Sequence, residues 1–151
     1  MQKKAEFWWE GTVALDKTQE DGSTKKVKKK YLFDASSFTD AEALLLDYVS
    51  QYVSGEVEIS DLKKRKYVEV FESDHTGDDY WFAVKCELIV LDEKTGEEKR
   101  TALLYLQQGA TAKGALSAFE KNINSEVSVD YEIIKVEKTS ILDVFESNFE
   151  K

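Results

Sequence analysis

The sequence predicts an α+β fold made by internal duplication of a ββαβ unit, a mainly antiparallel sheet with two helices packed on one face. Three observations carry this. The chain matches itself at a spacing of about 74 residues, long segments alternate in hydrophobicity with period two, and each half holds one amphipathic helical pattern. Sliding Gly22–Ser73 onto Gly96–Ser147 needs no gap and leaves about a quarter of the positions identical, well above chance. Gly22 falls on Gly96, Lys25 on Lys99, Tyr31-Leu32 on Tyr105-Leu106, and Val70-Phe71-Glu72-Ser73 on Val144-Phe145-Glu146-Ser147. Residues 1–151 are therefore read as a single domain of two pseudo-symmetric repeats, about 6–73 and 79–147.

Each element follows in order. Phe7, Trp9, Val13 and Leu15 alternate with Trp8, Glu10, Thr12 and Ala14, the signature of a half-buried strand. A polar turn with Gly22 leads to a second strand near 27–34, and 80–91, Asp92–Glu97 and 98–107 repeat that hairpin with a tighter loop. Thr39-Asp40-Ala41-Glu42 has capping-box spacing behind a Phe38 staple, and Ala41, Leu44, Leu45, Tyr48, Val49, Tyr52 and Val53 recur at helical intervals up to Gly55. Thr111–Asn124 is the partner helix, with Ala112, Ala115, Phe119 and Ile123 inward. Strands from Glu56 and from Val127 close the halves, each followed by a short segment ending in Val-Phe-Glu-Ser.

The chemistry the sequence lacks narrows function. One histidine, His75, sits in the polar turn Asp74–Asp79, and one cysteine, Cys86, rules out an intrachain disulfide. No nucleophile elbow, phosphate loop, dinucleotide fingerprint or paired zinc ligands are present. The expectation is a non-enzyme with no catalytic residues, no metal and no cofactor, the Asp74–Asp79 turn reading as a solvated linker. No apolar stretch suits a signal peptide or a membrane span, so the setting reads as cytoplasmic without a membrane partner.

What remains is a surface. The net charge is -9, yet Lys25, Lys26, Lys28, Lys29 and Lys30 cluster on the second strand, and Lys63, Lys64, Arg65 and Lys66 follow the next one. The first 73 residues carry 12 basic and 14 acidic groups and the rest 9 and 16, which places a basic edge in the first half. Alternation sets Trp8 and Trp81 on the face opposite Phe7/Trp9 and Tyr80/Phe82, with Tyr31 able to join them. Exposed aromatics beside lysines are how single-stranded DNA or RNA is held, by ring stacking and phosphate contact. The alternative is a protein-interaction module, acting on a host or phage protein or forming a homodimer, with the same aromatics as its interface. The acidic segment from Asp143 to Lys151, with Phe145 and Phe149, reads as a docked repeat element rather than a recruiting tail.

The Trp8-Trp9-Glu10 opening, the passage Tyr31-Leu32-Phe33-Asp34-Ala35 through Phe38-Thr39-Asp40-Ala41-Glu42-Ala43, and Asp130-Tyr131-Glu132-Ile133 through Ile141–Phe145 resemble a small family of domains of unknown function. That family occurs in gut Bacteroidales, their phages and mobile elements, and the resemblance covers nearly the whole chain. It implies a stand-alone cytoplasmic protein of a mobile element and transfers no activity or site residue.

Overall fold

A computed structural model describes residues 2–53 and 55–147, with all their side chains except those of Gln2 and Lys3. Among the described residues, eleven elements run in the order β1 (Gln2–Lys3), β2 (Trp8–Thr18), β3 (Thr24–Asp34), α1 (Phe38–Val49), β4 (Val57–Arg65), β5 (Tyr67–Phe71), β6 (Tyr80–Leu91), β7 (Glu98–Gly109), α2 (Ala112–Glu126), β8 (Asp130–Lys138) and β9 (Ile141–Phe145). The fold is α+β. Among the described residues the strands divide between two sheets, each with its own helix, where the sequence had suggested one sheet carrying both. Two compact units result: a first unit of Ala5–Lys66 with the segment from Ser140, and a second of Tyr67–Thr139 with the N-terminal residues through Lys4.

In the first unit the sheet order is β4-β2-β3-β9, with β2 antiparallel to both neighbours and β9 parallel to β3. Its core joins Trp9, Val13 and Leu15 of β2, Tyr31 and Phe33 of β3, Phe145 of β9, and Ala41, Leu45, Tyr48 and Val49 of α1. Phe145 stacks on Phe33 at 4.7 Å and on Tyr48 at 3.8 Å between ring centroids. Gly11 lets α1 approach, since a Cβ there would strike the Leu45 side chain and crowd Phe33.

Helix α1 starts and stops earlier than its apolar pattern suggests. The N-cap is Ser37, whose hydroxyl accepts from the Asp40 N–H at 3.1 Å while the Asp40 carboxylate accepts from the Ser36 N–H at 3.0 Å. This pairing preempts the Thr39 box and turns Phe38 into the first helical residue, its ring edge-on to Trp9. At the other end Ser50 caps the helix, and the Gln51 and Tyr52 amides bond back to Tyr48 and Val49 in a tighter turn. Tyr52 therefore leaves the helix and is 68% exposed.

The second unit orders its strands β8-β6-β7-β5-β1, with β5 parallel to β7. Phe71, Val84, Cys86, Tyr105, Phe119 and Ile123 form its core under α2, which Thr111 caps through the Gly114 N–H at 3.0 Å. Topology repeats that of the first unit, including the irregularities: β2 and β4 slip between Thr12 and Val13, β6 and β8 between Lys85 and Cys86. The slip of β9 on β3 at Lys30/Tyr31 recurs where β5 meets Leu104/Tyr105. This shared build supports the duplication and adds an exchange the sequence did not reveal. Strand β5 closes the first repeat in sequence but joins the second unit's sheet, and β9 does the reverse. The docked reading of the C-terminal segment holds through Ser147, whose N–H and hydroxyl bond Asp34; Phe149, Glu150 and Lys151 lie outside the described residues. No helix among the described residues is long and apolar enough to cross a membrane.

Candidate nucleic-acid interface

The aromatic face expected from the sequence is buried. Trp8 and Trp81 are each 3% exposed and Tyr31 is 6% exposed, so none offers a ring to a base. Alternation did put Trp8 on the side of β2 away from α1, but that side is also buried here, as Leu32 and Val144 show. The unbroken apolar run Tyr31-Leu32-Phe33 carried this signal, because a strand buried on both faces loses its alternation. Tyr31 faces α1, where burial, followed by the Asp143 charge, raises its phenol pKa.

The basic residues do not form one edge either. Lys30 and Arg65 flank the buried Glu10 carboxylate from the two strands beside β2, at 3.1 and 3.4 Å. A nearly solvent-free carboxylate needs such partners, and those two cations are committed to it. Lys26 lies 3.8 Å from Glu58 and Lys63 lies 3.8 Å from Asp61. The Lys64 ammonium sits over the Phe7 ring at 4.1 Å and within 5.7 Å of Trp9. Lys66 is exposed where β4 ends.

Lys25, Lys28 and Lys29 remain, and with Lys17 they make no ion pair among the described residues. These four crowd the outer end of the β2–β3 hairpin, where Lys17 pairs with Lys25 in register. An open groove of about 600 Å³ runs there, lined by Lys17, Lys28, Lys29 and Tyr52 together with Leu15, Val27 and Val53. The adjoining cleft, about 670 Å³, adds Lys25 and the Glu20-Asp21 turn, where hydrogen bonds from Ser23 hold the Asp21 carboxyl below its usual range. Strand β9 pairs only with Lys30–Phe33, so Thr24–Lys29 is an open sheet edge among the described residues. Lysines on such an edge also guard it against pairing with another strand.

Tyr52 is the residue that sequence reasoning missed, because its spacing assigned it to the buried stripe of a longer helix. Its ring meets Tyr48 edge-on at 5.3 Å, and the Tyr48 hydroxyl donates to Asp143 Oδ2 at 2.9 Å. Burial and the Asp143 carboxylate drive the Tyr48 phenol pKa far above its ordinary value, so that proton stays in place. The exposed ring thus rests on the buried Tyr48, which a part-buried hydrogen bond to Asp143 ties to β9.

By the repeat spacing, the second unit has Ala102, Leu103 and Glu126 where the first has Lys28, Lys29 and Tyr52. The basic groove belongs to the first unit. In the Asp74–Asp79 turn, the Ser73 hydroxyl donates to Asp78 and accepts the His75 N–H at 3.1 Å. No group of three or more His, Cys, Asp or Glu side chains converges as a metal site among the described residues.

Residues 7–147 match the family model described as a domain of unknown function (DUF4494), and the chain belongs to that family. Comparisons with curated proteins and with solved structures return no match.

Proposed function

We propose that this DUF4494 domain is a non-catalytic binding module that holds single-stranded nucleic acid in the groove at the outer end of the β2–β3 hairpin. The observation that carries the reading is the meeting of Lys17, Lys28 and Lys29 with one exposed ring in an open groove of about 600 Å³, beside Lys25 in the adjoining cleft, all four lysines free of ion pairs among the described residues. Lysines track phosphates without reading sequence, and a stacked base gains about 1 to 3 kcal/mol from an aromatic ring. Asp143 and Tyr48 position Tyr52 rather than touch the strand. In the cytoplasm of a cell carrying a phage or mobile element, such a module would cover single strands exposed during replication. The net charge of -9 limits affinity for duplex DNA and confines attraction to the groove.

One observation favours a second reading. The open β3 edge Thr24–Lys29 suits strand addition by an acidic segment of a protein partner. Fluorescence anisotropy of a labelled thymidine 20-mer separates the two. Binding that weakens with salt, exceeds duplex binding and falls in both Tyr52→Ala and Lys25→Ala/Lys29→Ala supports the nucleic-acid reading. Absence of binding at low salt overturns it and leaves strand addition.

A further inference from the structure

The strongest unexplained feature outside the groove is the carboxyl group of Glu69, on β5 of the second unit. Glu69 is 1% exposed, and its Oε2 is sealed from solvent with no hydrogen-bond donor reaching it. An ionised carboxylate left in that state is strongly disfavoured. Lys4 approaches Oε1 at 3.5 Å from the N-terminal segment, Glu126 stands beside it from the last turn of α2, and Tyr105 is its register partner on β7. The Asn122 and Gln107 amides are engaged elsewhere, Asn122 Nδ2 donating to Gln107 Oε1 at 2.9 Å and Gln107 Nε2 to the Gln108 carbonyl at 3.0 Å, and neither bonds Glu69 Oε2. Glu126 brings a second acceptor rather than a donor, so the two carboxyls bond only when one carries a proton.

The first unit solves the same position differently. Asp143, Tyr48 and Tyr52 correspond by repeat spacing to Glu69, Asn122 and Glu126, and there the strand carboxylate is exposed and accepts a hydrogen bond from the Tyr48 phenol. In the second unit Asn122 stands in place of that phenol and leaves Glu69 Oε2 without a partner, a gap that a proton on the carboxyl pair would fill.

We propose that Glu69 and Glu126 share a proton in a clasp that holds the last turn of α2 to β5, and that raising the pH through neutrality passes Glu69 from Glu126 to Lys4, tightening the N-terminal strand. The electrostatics agree in direction. Burial first, then the Glu126 carboxylate, push the Glu69 carboxyl up to about 7, while Lys4 pulls it down. A carboxyl whose folded pKa lies above its unfolded one stabilises the fold fully in acid, and loses that contribution as pH rises from the unfolded value through about 7. Strand β1 behaves oppositely, because the ionised carboxylate is the form that binds Lys4.

The test uses the full chain and follows the Glu69 side-chain carbon by NMR from acid to alkaline pH. The clasp requires a midpoint near 7 in the native protein, a lower one in Glu126→Gln and a higher one in Lys4→Ala, each moved by about half a pH unit or more. Both altered residues are exposed, so both variants should fold. Thermal stability in the native chain should carry a loss from this group between about pH 4.5 and 7, and that loss should disappear in Glu69→Gln. A native midpoint in the ordinary carboxylate range, or one unmoved by either exposed substitution, overturns the proposal.

Discussion

The two units share strand order and even the positions of their strand irregularities, yet what lies between helix and sheet differs sharply. In the first unit Phe33, Tyr48 and Phe145 stack tightly and Tyr52 emerges at the rim. In the second, Gln107, Asn122 and Glu126 stand at the positions of Phe33, Tyr48 and Tyr52. The comparison separates two kinds of information. Apolar positions common to both repeats set the topology, and a few exchanged residues on one helix face and one strand edge set the chemistry. The first unit has rings and a lysine groove at these positions, and the second has amides and carboxyls.

Breaking the aromatic side should produce the largest effect. Phe145→Ala removes a ring stacked on both Phe33 and Tyr48, and is expected to cost about 3 to 5 kcal/mol in urea unfolding. Amide exchange should then rise first in β3 and α1. A cost below about 1 kcal/mol would mean that β9 does not close the first unit's core. Gly11→Ala comes next, at about 1 to 3 kcal/mol, because the added methyl strikes Leu45.

Tyr52→Ala sharpens the functional side of the comparison. It should weaken single-strand binding by about 1 to 3 kcal/mol while changing stability by less than about 0.5 kcal/mol, as the ring is mostly exposed. Glu126→Ala, at the matching position of the second unit, should leave that binding unchanged. The smallest effect belongs to the helix caps. Ser37→Ala and Thr111→Ala are each expected to cost about 1 kcal/mol, and Thr39→Ala much less, since Ser37 holds the capping role.

Much of this architecture was legible in the sequence. The repeat, the two hairpins and both helices follow from spacing and periodicity, and the Trp8/Trp9 alternation was assigned to the correct faces. Exposure was not legible, because period-two alternation reports which side a residue is on and not whether that side is covered. Leu32 and Val144 made the second face apolar, and Trp8 went with it. The end of α1 was hidden for a similar reason: Tyr52 and Val53 continue the apolar spacing, while the backbone turns at Ser50. The exchange of β5 and β9 rests on long-range parallel pairing, which leaves no local trace in either strand. Sequence clustering also overstated the basic edge, since Glu10 and Glu58 on other strands and Asp61 on the strand of Lys63 neutralise part of it.

The most direct test of the account is the salt dependence of single-strand binding, measured in the native chain and in a variant with Lys17, Lys25, Lys28 and Lys29 changed to Ala. Four phosphate contacts predict a slope of about -3 in log K against log salt for the native chain, collapsing toward zero in the variant. Equal slopes in the two proteins would contradict the assignment of the groove, whatever the affinity.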